Sequence, residues 1–163
     1  ILAGKKDQYF LDGAVDYLES MIDDAARDGV DLKIISAYRS FDEQTDLKGQ
    51  FTQTYGDGAN TFSADQGYSE HQLGTAVDLT DPEVGGTYNS FAETEAYQWL
   101  LQNAYRYGFI ISYPENNEYY IFEPWHWRFV STDLARYLHR HDNESFYTME
   151  QRDIDEYLLN FFE

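Results

Sequence analysis

The sequence predicts an α+β domain in which helices flank an antiparallel β-sheet. Two observations carry this expectation. Stretches with helical apolar spacing stand before, between and after a set of short strand-like runs, and connections such as the turn at 114–118 are too short for a parallel crossover. The 163 residues suit a single domain over 1–163, and 42% hydrophobic with 18% aromatic residues supply a core.

Phe10, Ala14, Leu18, Met21, Ile22 and Ala25 recur at intervals of three and four, which predicts an amphipathic helix over 9–28 ended by Gly29. The run from Leu32 to Tyr38 holds Ile34-Ile35 without helical period and reads as a strand. Ser40 with Glu43 three residues on is a capping-box pattern and starts a second helix from Phe41 to Tyr55. Residues 56–68 are rich in Gly, Asp, Ser and Asn and read as a long loop of functional size.

Gly74 to Leu79 alternates as a short strand, closed by Asp81-Pro82 and the Gly85-Gly86 loop. A third helix is expected from Thr94 to Tyr107, then strands at Phe109 to Tyr113 and Tyr119 to Phe122 around the polar turn Pro114-Glu115-Asn116-Asn117. A last strand over Trp125 to Val130 and helices at Asp133 to His139 and Asp153 to Phe162 complete the pattern.

Eleven basic against thirty acidic residues give a net charge of −19, which repels phosphate backbones and anionic lipids, so no nucleic-acid partner is expected. Asp23, Asp24, Asp28, Glu150, Asp153, Asp155 and Glu156 fall in helix-like stretches and read as solvated faces. The chain has no cysteine, which excludes disulfides and thiolate metal sites. No apolar run reaches membrane-spanning length. Ile1-Leu2-Ala3-Gly4 carries no secretory leader, so the expectation is that any export signal or anchor was cut off or never existed.

With only four histidines, His71, His126, His139 and His141, few histidine-based sites can be built. His71 and Asp78 lie seven apart, and His126 sits in Glu123-Pro124-Trp125-His126-Trp127-Arg128. Two imidazoles and a carboxylate would leave the fourth tetrahedral position of a zinc ion open to water. Glu123 stands three residues before His126, near enough to take a proton from that water without being a ligand. Taken singly, His71 or Asp78 fits an ordinary polar residue equally well, and spacing does not decide between the readings. A His-Glu-x-x-His helix is absent from the sequence.

Three ordered blocks carry a resemblance. Ser69-Glu70-His71-Gln72-Leu73-Gly74-Thr75-Ala76-Val77-Asp78 resembles the Ser-x-His-x-x-Gly-x-Ala-x-Asp signature of the D-alanyl-D-alanine carboxypeptidase family related to the vancomycin-resistance enzymes. Glu123-Pro124-Trp125-His126 is similar to its Glu-x-Trp-His signature, and Ser36-Ala37-Tyr38-Arg39-Ser40 resembles its upstream Ser-Gly-Tyr-Arg-Ser segment. The similarity runs over about residues 14–160.

The resemblance implies the fold shared by lysostaphin-type peptidases and hedgehog signalling domains, with a zinc site on the sheet face. It implies His71, Asp78 and His126 as zinc ligands and Glu123 as the base that activates water and later protonates the leaving amine. Arg39 would stabilise the oxyanion or hold a substrate carboxylate; the alternative for it is a surface ion pair. Gln44 and Ser69 match positions that contact the peptide, and Trp125 would wall the pocket or pack in the core.

The implied activity is removal of the terminal D-alanine from peptidoglycan stem peptides. L,D-carboxypeptidase, cross-link endopeptidase and a non-catalytic zinc-stabilised binding domain are the alternatives. The substrate implies a location at the cell wall or outside the cell, and a monomer is expected. His139 and His141 receive no role and are expected to be exposed. Where the family often has an Ala-Arg-Pro-Gly type segment, this chain has Ser63-Ala64-Asp65-Gln66-Gly67, without the basic residue.

Overall fold

The computed structural model describes residues 8–61, 63–115, 117, 120–141 and 149. Among the described residues, four α-helices, α1 (Asp12–Arg27), α2 (Phe41–Tyr55), α3 (Glu95–Asn103) and α4 (Thr132–Arg140), accompany a sheet of β1 (Lys33–Ser36), β2 (Ala76–Thr80), β3 (Phe109–Ile111) and β4 (His126–Phe129). The strand order is β1-β2-β4-β3 and every pairing is antiparallel, as the short connections require.

The pleat divides this sheet into an apolar face and a polar one. Ile34 lies opposite Leu79, Val77 opposite Trp127 and Phe109 opposite Phe129, so these side chains share one face. That face packs against Ala14, Leu18, Met21 and Ala25 of α1 and Ala96, Trp99 and Leu100 of α3 in the main core. The intervening residues face the other way. Asp78 pairs directly with His126 on one side and Ser36 on the other, so three polar side chains form a row across β1, β2 and β4. A register shift between Ile34 and Ser36 marks a bulge in β1, a device that re-aims side chains beside active sites.

Local chemistry sets the helix boundaries. Ser40 Oγ accepts from the Glu43 N–H at 3.2 Å while Glu43 Oε2 accepts from the Ser40 N–H at 2.9 Å, the reciprocal cap that the sequence announces. Thr94 is the cap of α3, not its first residue, and Ala104–Tyr107 continues as a 3-10 turn. Phe10 and Leu11 precede α1: Leu11 is its N-cap, with a non-helical ψ of 125°, and its N–H bonds the Gly74 carbonyl at 2.8 Å. The loop expected at 56–68 begins with a 3-10 helix, Gly56–Thr61.

Other expectations need correction. Tyr120, Ile121 and Phe122 form no strand. Asn117 donates to the Pro114 carbonyl at 2.9 Å and accepts from the Tyr120 N–H at 2.7 Å, and this turn chemistry diverts the backbone from a ladder. The α1 acidic face is not uniformly solvated: Asp24 accepts from Tyr107 Oη at 2.6 Å and Asp28 from Trp99 Nε1 at 2.8 Å. His141 is exposed as expected, but His139 is half-buried and stacks on Tyr105 at 3.7 Å. The helix expected at Asp153 to Phe162, with Glu150, Asp153, Asp155 and Glu156, lies outside the described residues. No helix among the described residues is long and apolar enough to cross a membrane.

Candidate metal centre and active site

His71 arrives from a different part of the chain than the Asp78–His126 pair. It sits on the 3-10 turn Glu70–Leu73, which Gly74 closes with φ 73°, a conformation glycine adopts without steric cost. The His71 carbonyl accepts from the Arg39 N–H at 3.1 Å, and the His71 ring donates from Nδ1 to the Ala37 carbonyl at 2.6 Å. The turn is thereby docked on the segment that follows β1.

With Nδ1 committed to Ala37, His71 presents Nε2, which lies 3.4 Å from Asp78 Oδ2. His126 is held the opposite way round. Its Nε2 meets Glu70 Oε2 at 2.9 Å, and its Nδ1 faces Asp78 Oδ1 at 3.2 Å. One donor atom each from His71, Asp78 and His126 therefore lies within 4.8 Å of the other two, and all three residues are buried. Two ring nitrogens whose opposite nitrogens are already hydrogen-bonded, plus one carboxylate, make a donor set for a divalent cation.

The electrostatics agree with that reading. Burial alone would raise the Asp78 pKa, but the His71 charge and hydrogen bonds from His126 and His71 hold it well below the usual carboxylate range. Burial alone would lower the His126 pKa, but hydrogen bonds to Asp78 and Glu70 and their charges push it up to about 10. The pocket favours positive charge between these carboxylates.

Glu123 reaches the same point through a turn. The His126 N–H bonds the Glu123 carbonyl at 3.1 Å, with Pro124 in the second position, where its fixed φ suits a turn. This folds the Glu123 carboxylate back to 3.9 Å from His126 Nδ1, beside the donor cluster. Burial, then the charges of Asp78 and Glu70, raise the Glu123 pKa to about 7, against the opposing His126 and Arg39 charges. Its carboxyl is thus poised between donor and acceptor near neutral pH.

Arg39 reaches the site from the segment after β1. Nη1 donates to Gln44 Oε1 at 2.8 Å and Nη2 to Ser36 Oγ at 3.3 Å, which fixes the plane of the fork. Burial lowers its pKa, and Asp78, Glu43 and Glu123 counter this. Gln44 is 1% exposed and engages both ends of its amide, since Nε2 donates to the Ala64 carbonyl at 2.7 Å.

A cavity of about 540 Å³ opens over the cluster, lined by all eight residues singled out in the sequence: Arg39, Gln44, Ser69, His71, Asp78, Glu123, Trp125 and His126. Ser69 precedes the His71 turn and makes no side-chain capping bond. Trp125 both lines the cavity and packs against the main core. Arg39 is the one Lys or Arg among the described residues lining it. Lys48 is instead pinned to the wall, donating to Asn60 Oδ1 at 2.7 Å and to the Ser63 carbonyl, with Asp65 at 3.3 Å.

Sequence reasoning missed Glu70. It is 7% exposed and bonds His126, Ser112 and Arg128. The signal present in the sequence is an acidic residue directly between Ser69 and His71, which by itself reads as an ordinary turn residue.

The family model for VanY, D-alanyl-D-alanine carboxypeptidase, matches residues 8–132. The Bacillus subtilis protein YodJ is 37% identical over 140 residues, which is 83% of this chain and 51% of that protein. Among solved structures, the LdcB LD-carboxypeptidase is 32% identical with TM-score 0.81, covering 96% of this chain and 73% of the other. The D,D-pentapeptidase VanY from a VanB-type resistance cassette, in complex with Zn(II), is 30% identical with TM-score 0.74, covering 95% and 86%. The chain spans about half the length of the curated relative it matches. On the family model and the relatives together, the chain belongs to the VanY family of D-alanyl-D-alanine carboxypeptidases.

Proposed function

We propose that this chain is a zinc-dependent D,D-carboxypeptidase that removes the terminal D-alanine from peptidoglycan stem peptides. The observation that carries the reading is the convergence of His71 Nε2, Asp78 and His126 Nδ1 beside the Glu123 carboxylate, under a cavity that Arg39 faces. Nitrogen and oxygen donors of this kind suit zinc, and a zinc ion held by His71, Asp78 and His126 supplies water acidification and carbonyl polarisation.

The chain's own residues do the rest. Glu123 accepts the proton of the attacking water as the C–O bond forms and returns it to the amine nitrogen as the C–N bond breaks. Arg39 stabilises the carbonyl oxygen as it gains charge, or anchors the substrate's terminal carboxylate. Ser36 and Gln44 hold the guanidinium in plane for either task. Ser69 and Trp125 bound the space the peptide enters. A cell-wall or extracellular location follows from such a substrate, and a monomeric state is part of the same proposal.

An L,D-carboxypeptidase is the second reading, favoured by the TM-score of 0.81 to the LdcB LD-carboxypeptidase. Mass spectrometry of digests separates the two. A D,D-enzyme converts a stem pentapeptide to the tetrapeptide and stops, whereas an L,D-enzyme trims the tetrapeptide to the tripeptide. Neither peptide being shortened would contradict both readings.

A further inference from the structure

Glu70 takes no part in the proposed reaction and does not line the cavity, yet it is buried against the far side of a proposed metal ligand. Both of its oxygens receive donors. Oε2 accepts from His126 Nε2 at 2.9 Å and from Ser112 Oγ at 2.7 Å, and Oε1 accepts from Arg128 Nη1 at 2.7 Å.

Separate elements meet here. His126 and Arg128 are two apart on β4, so the pleat sets them on one face. Ser112 follows β3, and its N–H meets the His126 carbonyl at 3.4 Å. Glu70 itself belongs to the turn that carries His71. The carboxylate therefore ties one proposed ligand's turn to the strand of another.

We propose that Glu70 is the positioning residue for His126: by accepting the Nε2 hydrogen it fixes the ring so that Nδ1, facing Asp78 and His71, is the ligand atom. This rests on the zinc reading above. A ring whose Nε2–H lacked a fixed acceptor would be free to rotate and to exchange the two nitrogens, whereas an oriented acceptor sets the tautomer and strengthens the ligand. A glutamine cannot substitute. Its amide has a single, uncharged acceptor oxygen, so Glu70→Gln leaves His126 with a weaker neutral acceptor at best, and otherwise facing an NH₂ group.

Zinc affinity of the wild type and of Glu70→Gln, measured by competition with a chelator of known strength, tests this. It is read beside metal-free melting temperatures and the ¹⁵N resonances of His126 in the zinc-loaded protein. Glu70→Gln is expected to bind zinc about ten- to a hundredfold more weakly. The zinc-saturated variant should keep its KM for the stem pentapeptide, and the His126 Nε2–H signal should weaken through faster exchange. Unchanged zinc affinity, with or without a lower melting temperature, would make Glu70 a purely structural residue and overturn the proposal. Where Glu70→Gln does not yield folded protein, Ser112→Ala removes one donor and keeps the charge. It is expected to weaken zinc binding several-fold, and unchanged affinity overturns the proposal equally. A wild type that binds no zinc at all would instead remove the metal reading, and this inference with it.

Discussion

Replacing Glu123 by glutamine is expected to lower kcat by about a hundredfold to ten-thousandfold, the range for losing a positioned acid–base group, while zinc content stays at the wild-type level. The carboxylate sits 3.9 Å from His126 Nδ1 but outside the converging donor set, so the ion keeps its ligands when Glu123 changes. His126→Ala should lose both metal and activity. Near wild-type turnover in Glu123→Gln, measured on the stem pentapeptide, would contradict the assignment.

The same substitution has a second expected effect, on stability in the metal-free protein. Burial raises the Glu123 pKa from 4.5 to about 7. A raised carboxyl pKa means the folded state prefers the proton, so the associated stability is complete below about 4.5 and is lost as pH rises through about 7. The shift corresponds to at most about 3 kcal/mol. Chelator-treated Glu123→Gln should therefore melt above chelator-treated wild type at pH 8, and the difference should vanish at pH 4. A variant that melts lower at both pH values would show that the carboxylate is stabilising where it stands.

The second large effect is expected for Arg39→Lys, about a hundred- to thousandfold in kcat, the scale of losing one oxyanion donor. Gln44 Oε1 and Ser36 Oγ hold two different guanidinium nitrogens, and a lysine ammonium cannot reproduce that planar fork. The ranking of kcat against KM separates the two roles. An oxyanion role lowers kcat, and an anchor for the substrate carboxylate raises KM with kcat little changed. Intact kinetics with a clearly lowered melting temperature would remove Arg39 from the site and leave it as a structural ion-pair residue.

What the sequence discloses about this molecule follows the range of the interactions involved. The start of α2 is written within four residues, because Ser40 and Glu43 cap it reciprocally. The strand expected at Tyr119 to Phe122 fails over its described residues, Tyr120 to Phe122, for a reason of the same short range: Asn117 closes a turn on Pro114 and Tyr120, which outweighs the β propensity of the aromatic run. The direct pairing of Asp78 with His126 spans 48 residues, and the sequence indicates it only through the resemblance of two separated blocks. Local pattern contains no register.

Glu70 lay beyond reach for a related reason. A buried carboxylate is explained by the partners that satisfy it, and Ser112, His126 and Arg128 are 42, 56 and 58 residues away. Gln44 is similar: a helix-surface glutamine by its position in α2, it is almost fully buried because Arg39 and the Ala64 carbonyl take both ends of its amide. The stacking of His139 on Tyr105 joins α4 to the turn after α3, and no charge or spacing rule in the sequence announces it.

The most direct measurement is a zinc titration of chelator-stripped protein, followed by stem-pentapeptide hydrolysis and run in parallel on His126→Ala. The rate of the wild-type protein should start near zero, rise in proportion to added zinc and level off at a single ion per chain, while His126→Ala stays flat throughout. Stripped wild-type protein that hydrolyses the peptide at full rate, or zinc-saturated protein that does not hydrolyse it at all, would contradict a zinc-dependent D,D-carboxypeptidase built on His71, Asp78 and His126.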